Sequence, residues 1–418
     1  MDSYSQTLER IYHLRGGMID LRLERMERAL ALWNHPENKF PSLHIAGTNG
    51  KGSTAAMLQR MLSLAGYRTG LYTSPHLVSF TERMRVGDDE ISQADVVALA
   101  DEMRRCTEAA AVPLTFFEFV TAMAFIYFSR QAIDVAVIEV GLGGRLDATN
   151  LITPLVSVIT TISRDHEEYL GPDELSIARE KAGIIKPGVP VVCGRVAPEI
   201  AEVFKNIAGE RGCPAYFLGS DFRISLKNDG VFDYTGIKQH YSELTTALHG
   251  AHQRNNAAVA LAAGELVRER FPIHEKVIRR GLQTVRWPGR LEIVRQRPTV
   301  ILDGAHNREG VQALVNELKQ LRQGHKIKLL FAVMVDKEWE LMVRALASVV
   351  DEVVFTQVAM ERSADPQQLA QKLDDQVPHR VIRNSRRALE TLLNEAGDDE
   401  IVVVAGSLYL LGEVCPLL

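Results

Sequence analysis

Residues 44–54 read His-Ile-Ala-Gly-Thr-Asn-Gly-Lys-Gly-Ser-Thr, and this stretch decides the fold of the first half of the chain. It predicts the end of a buried strand, a glycine-rich turn and the start of a helix. Such a turn directs backbone N–H groups and a helix N-terminus at an anion, usually a phosphate. Lys51 adds a positive charge for the outer phosphates, and Ser53 or Thr54 adds a hydroxyl near a bound metal. The stretch therefore predicts a phosphate-binding loop.

This loop is shorter than the common nucleotide-binding loop. The common loop has four residues between its first Gly and the Gly-Lys pair. Here only Thr48 and Asn49 separate Gly47 from Gly50-Lys51, so the common pattern is not met. A lysine, two flanking glycines and a hydroxyl pair still follow a predicted strand, and we interpret the loop as a variant that binds phosphate.

Composition and charge are those of an ordinary globular enzyme. The chain has 418 residues, of which 46% are hydrophobic, and this is enough for two or three domains. Its 48 basic and 53 acidic residues give a net charge of −5, which does not favour nucleic acid or an anionic membrane as a partner. An anionic substrate must therefore meet a local cluster of positive groups.

The cysteines and the apolar segments indicate an intracellular compartment. The four cysteines are scattered, with no spacing typical of a zinc or redox site. The N-terminus lacks a signal-peptide core, and the longest apolar run, residues 119–128, is too short to span a bilayer. We expect a cytoplasmic monomer that binds neither nucleic acid nor a membrane.

Strand-like runs alternate with helical segments along the chain. Short apolar runs rich in β-branched residues predict strands buried on both faces of parallel sheets. These runs are residues 43–46, 70–73, 135–140, 156–161, 189–193, 300–302, 328–333, 352–356 and 401–404. Residues 216–241 predict a β meander instead. We predict an α/β fold with an N-terminal P-loop domain built on a doubly wound, mostly parallel sheet (residues 1–287). A linker (288–298) and a smaller C-terminal Rossmann-like α/β domain (299–418) follow.

Polar side chains follow several predicted strands at their carboxyl ends, where ligands collect in parallel sheets. Glu139 closes one strand and is placed to hold Mg²⁺, a hard cation that prefers oxygen; the alternative is an acid that caps a loop. His166 follows the next strand and is either a metal ligand or an ordinary hydrogen-bonded histidine. Ser74 follows the strand at 70–73, where its hydroxyl serves the same metal or an ordinary turn.

Other residues stay ambiguous when taken alone. Lys181 has the pattern of a helix-surface lysine. Asp303 and His306 lie together directly after a buried strand, which favours a site over a structural turn. Arg290 after Pro-Gly is equally an exposed arginine, and Asn256 in a helix is equally a capping residue.

Taken together, these motifs resemble those of the folylpolyglutamate synthase and dihydrofolate synthase family, relatives of the Mur ligases. The matching stretches are residues 47–54, 73–78, 116–119, 139–150, 165–166, 179–184, 288–290, 303–307 and 406–410. They occur in the family's order and span nearly the whole chain. The shortened phosphate loop is the form that this family uses.

The resemblance implies an ATP-dependent ligase that adds L-glutamate to folates through an acyl phosphate, releasing ADP and phosphate. Tetrahydrofolates are the expected acceptors, with dihydropteroate as a second one. The first alternative is a folylpolyglutamate synthase without dihydrofolate synthase activity. The second is a Mur-type amino-acid ligase, although the 46 residues before Gly47 are too few for its nucleotide-sugar domain. The third is a non-catalytic ATP-gated binding module, which would not need a second metal site.

The resemblance also implies roles for individual residues. ATP contacts are implied for Gly47, Thr48, Asn49, Gly50, Lys51, Gly52, Ser53, Asn256, Arg290 and Asp303, so that ATP would bridge both domains. Ligation of two Mg²⁺ ions is implied for Ser74, Glu139, His166 and Lys181. Catalytic roles are implied for Lys51, Glu139, His166, Lys181, Asp303 and His306. Lys181 is expected to be carbamylated, because an ammonium repels Mg²⁺ whereas a carbamate offers anionic oxygens.

A pterin-side substrate pocket is implied as well. Its residues are Met18, Ile19, Asp20, Leu21, Phe117, Glu118, Phe119, Leu146, Asp147 and Ala148. An aromatic pair that flanks a carboxylate suits a flat heterocycle, although Phe117 and Phe119 are equally candidates for helix core. Met18 departs from the threonine common in the family, which leaves the dihydropteroate activity open.

Overall fold

The computed structural model describes residues 3–14, 22–373 and 377–418, and it has the α/β fold predicted from the sequence. These residues divide into two compact units. The first comprises Met1–Thr246 and Arg254–Val285, and the second comprises Ala247–Gln253 and Arg286–Leu418. The stretch 288–298, expected to be a linker, therefore falls inside the second unit.

A large, mostly parallel sheet forms the centre of the first unit. Its strands are β1 (Ser42–Ala46), β2 (Thr69–Tyr72), β3 (Met84–Val86), β4 (Asp89–Glu90), β5 (Val135–Glu139), β6 (Val156–Ile159), β7 (Val191–Cys193) and β8 (Ala215–Phe217). Their order is β4-β3-β2-β5-β1-β6-β7-β8. The strands from β2 to β8 in this order pair in parallel, whereas β3 and β4 form an antiparallel edge. All five residues of β1 are buried, as expected for a central parallel strand.

Helices connect and cover these strands. They are α1 (Tyr4–Tyr12), α2 (Glu24–Ala31), α3 (Lys51–Leu64), α4 (Gln93–Ala109), α5 (Phe116–Arg130), α6 (Glu167–Leu170), α7 (Glu174–Ala182), α8 (Pro198–Glu210), α9 (Ala251–Leu266) and α10 (Glu275–Thr284). Short 3₁₀ helices occupy Pro36–Asn38, Phe80–Arg83, Ala148–Leu151 and Asn228–Gly230. No helix within the described part of the chain is long and apolar enough to cross a membrane.

The predicted meander is a separate antiparallel sheet. It consists of β9 (Arg223–Leu226), β10 (Phe232–Thr235) and β11 (His240–Leu244), in the order β11-β10-β9. The 3₁₀ helix at Asn228–Gly230 joins β9 to β10. An antiparallel meander is therefore present, but it begins later than the predicted residue 216, because residues 216–217 belong to the parallel strand β8.

The second unit is built on its own sheet. Its strands are β12 (Glu292–Gln296), β13 (Thr299–Asp303), β14 (Ile327–Phe331), β15 (Glu352–Gln357), β16 (His379–Asn384) and β17 (Ile401–Ala405), in the order β12-β13-β17-β14-β15-β16. Its helices after α10 are α11 (Arg308–Arg322), α12 (Trp339–Ala347), α13 (Pro366–Gln371), α14 (Ser385–Glu395) and α15 (Leu408–Val414). β12 lies in the expected linker and pairs antiparallel with β13. β12 is an edge strand with several polar residues, and it lies between two prolines. A search for runs of buried apolar residues therefore does not find it.

A buried histidine joins β1 to the segment that follows β5. His44 on β1 is fully buried, with its Nε2 2.8 Å from Oγ1 of Thr149. The Thr149 hydroxyl donates its single proton to the Asp147 carboxylate at 2.5 Å, so His44 Nε2–H must be the donor to Thr149. Burial, assisted by the charge of Lys186, lowers the pKa of His44 to about 3. The ring is therefore neutral at every pH at which the fold is expected to persist.

We expect this histidine to make the first unit sensitive to acid. Between the ordinary histidine pKa of about 6.5 and the folded value of about 3, the unfolded chain binds a proton that the folded chain does not bind. The stability of the parent chain should therefore fall relative to His44→Gln by up to about 1.4 kcal/mol per pH unit as the pH drops through this window. Gln keeps an N–H donor for Thr149 but does not titrate. Calorimetric melting at pH 7.5, 6 and 5 measures the difference, and parallel curves would contradict it.

Candidate active site

The phosphate loop runs from the end of β1 to the first residue of α3. Gly47 and Gly50 adopt positive φ angles of 146° and 85°. A Cβ on Gly50 would lie 2.4 Å from Oδ1 of Asn256, so glycine leaves room for this buried amide beside the loop. Gly50 is the N-cap of α3 and has no side chain with which to cap it. The first turn of α3, beginning at Lys51, is thus suited to bind an anion through its N–H groups.

Two lysine side chains converge on one carbonyl oxygen of this loop. Lys51 Nζ lies 3.0 Å from the carbonyl oxygens of both Gly47 and Thr48. Lys181 Nζ, on α7, lies 3.0 Å from the same Gly47 oxygen. Lys181 is 5% exposed, and this contradicts its interpretation as a helix-surface lysine. The α7 pattern gave no sign of burial, because the loop that covers Lys181 is distant in sequence.

The surroundings of Lys181 favour its neutral form. Burial is the largest cause and the positive charge of Lys51 the second, and together they lower the pKa of Lys181 to about 7. Asp165 and Asp147 act in the opposite direction but do not compensate. A substantial part of the amine is therefore uncharged, and hence nucleophilic, near neutral pH.

The predicted metal ligands Ser74 and Glu139 lie together at the carboxyl ends of two adjacent strands. The Ser74 N–H donates to Oε2 of Glu139 at 3.2 Å, and the Glu139 side chain is buried. His166 is the N-cap residue before α6 and has a left-handed conformation, with φ 53°, and its side chain is 42% exposed. Its Nε2 lies 3.9 Å from Asp165 Oδ1. Within residues 3–14, 22–373 and 377–418, no three His, Cys, Asp or Glu side chains are grouped to hold a metal.

Asp147 organises the glycine-rich segment that follows Glu139. Its Oδ2 accepts the N–H groups of Gly141 at 3.1 Å and Leu142 at 2.9 Å, and its Oδ1 accepts the N–H and hydroxyl of Thr149. Burial raises the pKa of Asp147, although these hydrogen bonds oppose the rise. Gly144 packs against the last turn of α7, where a Cβ would lie 2.9 Å from two carbonyl oxygens. The segment is therefore held between β5 and the helix that carries Lys181.

The residues predicted for a substrate pocket have diverse surroundings. Glu118 caps α5 with Thr115 and forms a 2.6 Å ion pair with Arg25. Phe119 belongs to the hydrophobic core, whereas Phe117 is half-buried with its ring where a Cβ of Gly141 would stand. Leu146 is half-buried and Ala148 is buried. Met18, Ile19, Asp20 and Leu21 lie outside the described residues.

A buried arginine near Ser74 was missed by the sequence analysis. Arg83 is 6% exposed, and its Nε donates to Nδ1 of His76 at 2.8 Å. Its guanidinium lies over the rings of Phe80 and Phe116, at 5.9 and 5.4 Å from the ring centres. Local sequence carries no signal for such a cation, because the Phe116 ring comes from another element.

The predicted residues of the second unit form a cluster after β13. Asp303 is buried and accepts the N–H groups of Leu291 at 2.8 Å and Ala305 at 2.9 Å. Burial raises the pKa of Asp303, while the charges of Arg290 and His252 act against the rise. Nη1 of Arg290 occupies the space that a Cβ on Gly304 would need, at 2.3 Å.

His306 is also fixed beside this turn. The carbonyl oxygen of Gly304 lies 2.7 Å from Nδ1 of His306. Since a carbonyl can only accept, His306 must carry its proton on Nδ1 for this bond, and Nε2 is left as the acceptor in the neutral ring. The structure thus brings Arg290, Asp303 and His306 together, whereas their positions in the sequence grouped only Asp303 with His306.

Comparison with known proteins shows which family this chain is similar to. Residues 45–264 match the Mur ligase middle domain, and residues 289–408 match the Mur ligase glutamate ligase domain. A dihydrofolate synthase/folylpolyglutamate synthase of Bacillus subtilis is 36% identical over 410 residues, which cover 94% of this chain and 94% of that protein.

Two solved structures are similar to this chain over its whole length. Escherichia coli FolC in complex with DHPP and ADP has a TM-score of 0.92 and 32% identity, over 100% of this chain and 97% of that chain. The bifunctional folylpolyglutamate synthase/dihydrofolate synthase of Yersinia pestis, complexed with AMPPNP and Mn ion, has a TM-score of 0.90 and 32% identity, over 100% and 98% of the two chains. The chain therefore belongs to the dihydrofolate synthase/folylpolyglutamate synthase family within the Mur ligases, as its motifs indicated.

Proposed function

We propose that this protein is an ATP-dependent ligase that adds L-glutamate to folates through an acyl phosphate, with release of ADP and phosphate. The observation that carries the proposal is the short phosphate loop, with Lys51 and Lys181 on Gly47 and the acid Glu139 on the adjacent strand. Relatives with ADP or AMPPNP bound support the nucleotide. Dihydropteroate is proposed as a second acceptor, because relatives carry both activities in their names.

The loop and the first turn of α3 would hold the ATP phosphates. Lys51 is placed to exchange its contacts with loop carbonyls for the outer phosphates, where its charge would stabilise phosphoryl transfer. Asn256 beside Gly50 is proposed as a further nucleotide contact. The nucleotide contacts of Arg290 and Asp303 and the catalytic role of His306 stay predictions from the family resemblance.

The residues around Glu139 fit a hard divalent cation. A buried carboxylate and the Ser74 hydroxyl are oxygen donors of the kind that Mg²⁺ prefers, and His166 would add an imidazole. The Mn ion bound to the Yersinia pestis relative supports a divalent metal. When bound, Mg²⁺ neutralises charge on the transferred phosphoryl group. Too few acidic and histidine side chains are grouped among the described residues to hold an ion by themselves, so phosphate and water oxygens would complete its shell.

Lys181 is proposed to act as a carbamate. Its neutral amine can attack CO₂, forming a C–N bond and releasing one proton, and the product presents two anionic oxygens. Burial and the charge of Lys51, which lower its pKa, favour this reaction near neutral pH. The negative product would also be attracted by the positive charge of the neighbouring Lys51.

The acceptor would meet both aromatic and charged groups. Phe117 offers a half-buried ring for a flat heterocycle, and Asp147 supports the glycine-rich segment beside it. Arg83 is a buried cation suited to the carboxylate of an anionic acceptor. Substrate contacts by the other pocket residues, and action as a cytoplasmic monomer, stay predictions from the sequence.

The central experiment measures ADP formation with tetrahydrofolate, ATP and Mg²⁺, with and without L-glutamate. ADP release should depend on glutamate, and Lys51→Ala or Glu139→Ala should lower kcat/KM by about 100-fold or more, because each removes charge stabilisation from phosphoryl transfer. Glu199→Ala, at an exposed position of α8, is the matched control and should keep the parent rate. Parent-like rates in both site variants would refute the site assignment.

A second assay compares acceptors in the same parent chain. Dihydropteroate and tetrahydrofolate should both support glutamate-dependent ADP release, since the proposed pocket recognises a heterocycle that they share. Activity with tetrahydrofolate alone would identify a monofunctional folylpolyglutamate synthase. Activity with neither acceptor would contradict the proposed substrate class.

The carbamate can be detected directly. In ¹³C-bicarbonate the parent chain should show a carbamate resonance and a matching mass increase under native conditions, and Lys181→Met should lose the signal and most of the activity. Lys205→Met, at an exposed position of α8, should retain both properties. A Lys181→Met variant with the parent rate would exclude the role.

A further inference from the structure

Thr160 lies directly behind the phosphate loop, at the end of β6. Its Oγ1 is 2.6 Å from the carbonyl oxygen of Asn49 and 3.4 Å from that of Ala46, so its proton goes to Asn49. Glycines flank it on two sides. A Cβ on Gly47 would lie 1.9 Å from Thr160 Oγ1, and a Cβ on Gly194 would lie 1.9 Å from the Thr160 carbonyl oxygen. Thr160 therefore occupies space that any side chain at position 47 or 194 would need.

The hydrogen bonds of this loop define the direction of each of its peptide groups. The Gly47 carbonyl faces the two lysines, and the N–H of the same peptide, on Thr48, donates to the Thr161 carbonyl at 2.8 Å. The next peptide has the same direction: the Thr48 carbonyl faces Lys51, and the Asn49 N–H donates to Thr161 Oγ1 at 3.1 Å. In both peptides the carbonyl is on the lysine side and the N–H on the threonine side.

The Asn49–Gly50 peptide is reversed. Its carbonyl faces Thr160 and Thr161, at 2.6 and 3.3 Å from their hydroxyl oxygens. Because the peptide is trans, its carbonyl and N–H point in opposite directions, so the Gly50 N–H points away from the threonines toward the lysine side. This reversal, together with the positive φ of Gly50, adds one N–H group to those at the start of α3.

We propose that Thr160 is a positioning residue for the nucleotide, whose hydroxyl holds the Asn49–Gly50 peptide in its anion-binding direction. Without that donor, only the longer contact with the Thr161 hydroxyl, at 3.3 Å, holds the carbonyl, and the peptide can turn over and present the Asn49 carbonyl oxygen to the phosphates, which repels them. The donor lies directly after β6, 111 residues from Asn49 along the chain. The inference rests on the proposed binding of ATP at this loop.

The test compares Thr160→Ala with Thr160→Ser, which differ from each other by the hydroxyl alone. Titration calorimetry on the full chain with Mg²⁺ measures the Kd for ADP and for AMP. The Ser variant should bind ADP within about 3-fold of the parent chain, and the Ala variant should bind it about 10-fold or more weakly. AMP should be affected less, because it lacks the outer phosphate. Thr160→Val, which fills the volume without a hydroxyl, replaces the Ala variant if that variant is unstable.

A control separates positioning from general stability. Thr107 on α4 is also buried, and its hydroxyl donates to the Met103 carbonyl at 2.8 Å. Thr107→Ala should lower the melting temperature without changing the ratio of the ADP and AMP affinities. Equal ADP affinity of the Ala and Ser variants, in a parent chain that binds ADP, overturns the role of Thr160 and leaves the proposed function intact. A parent chain that does not bind ADP overturns both.

Discussion

The close approach of Gly47 to Thr160 on one side and to two lysines on the other is the constraint on which the candidate site depends. No side chain fits at Gly47, and its carbonyl oxygen is the common acceptor of Lys51 and Lys181. Lys181 is buried at this contact, where burial and a neighbouring positive charge make its amine partly neutral. The packing around Gly47 is therefore common to the loop and to the site of Lys181.

The acidic side of the site is held by a different network. Asp147 accepts four hydrogen bonds, which fix the glycine-rich segment after Glu139 and connect it through Thr149 to His44 on β1. The phosphate loop also begins from β1. One central strand thus carries the loop at its end and, through a buried histidine, supports the segment that follows the neighbouring strand. Both groups of residues keep their spacing because the parallel pairing of β1 and β5 is buried on both faces.

Sequence reasoning succeeded where the signal is local. Apolar runs located the buried parallel strands, and the glycine pattern located the phosphate loop and the start of α3. It failed for β12, whose polar residues form an edge strand within the expected linker. It left Phe117 and Phe119 undecided between pocket and core, and the structure separates them: Phe119 is core, whereas Phe117 is half-buried. Residues two positions apart on a helix face different directions, so Phe117 and Phe119 need not share a role.

The sequence by itself determined the fold class, the family and the position of the glycine-rich loop, since strand periodicity and glycine positions are local features and the motifs can be read along the chain. Only the tertiary structure decided what surrounds Lys181, Arg83 and Thr160. Lys181 meets Gly47 across 134 residues of chain, and Thr160 meets Asn49 across 111. Burial, pKa and the direction of a peptide group depend on which distant atoms come within a few ångströms, and the parallel crossovers that bring them together leave no local signal in the sequence.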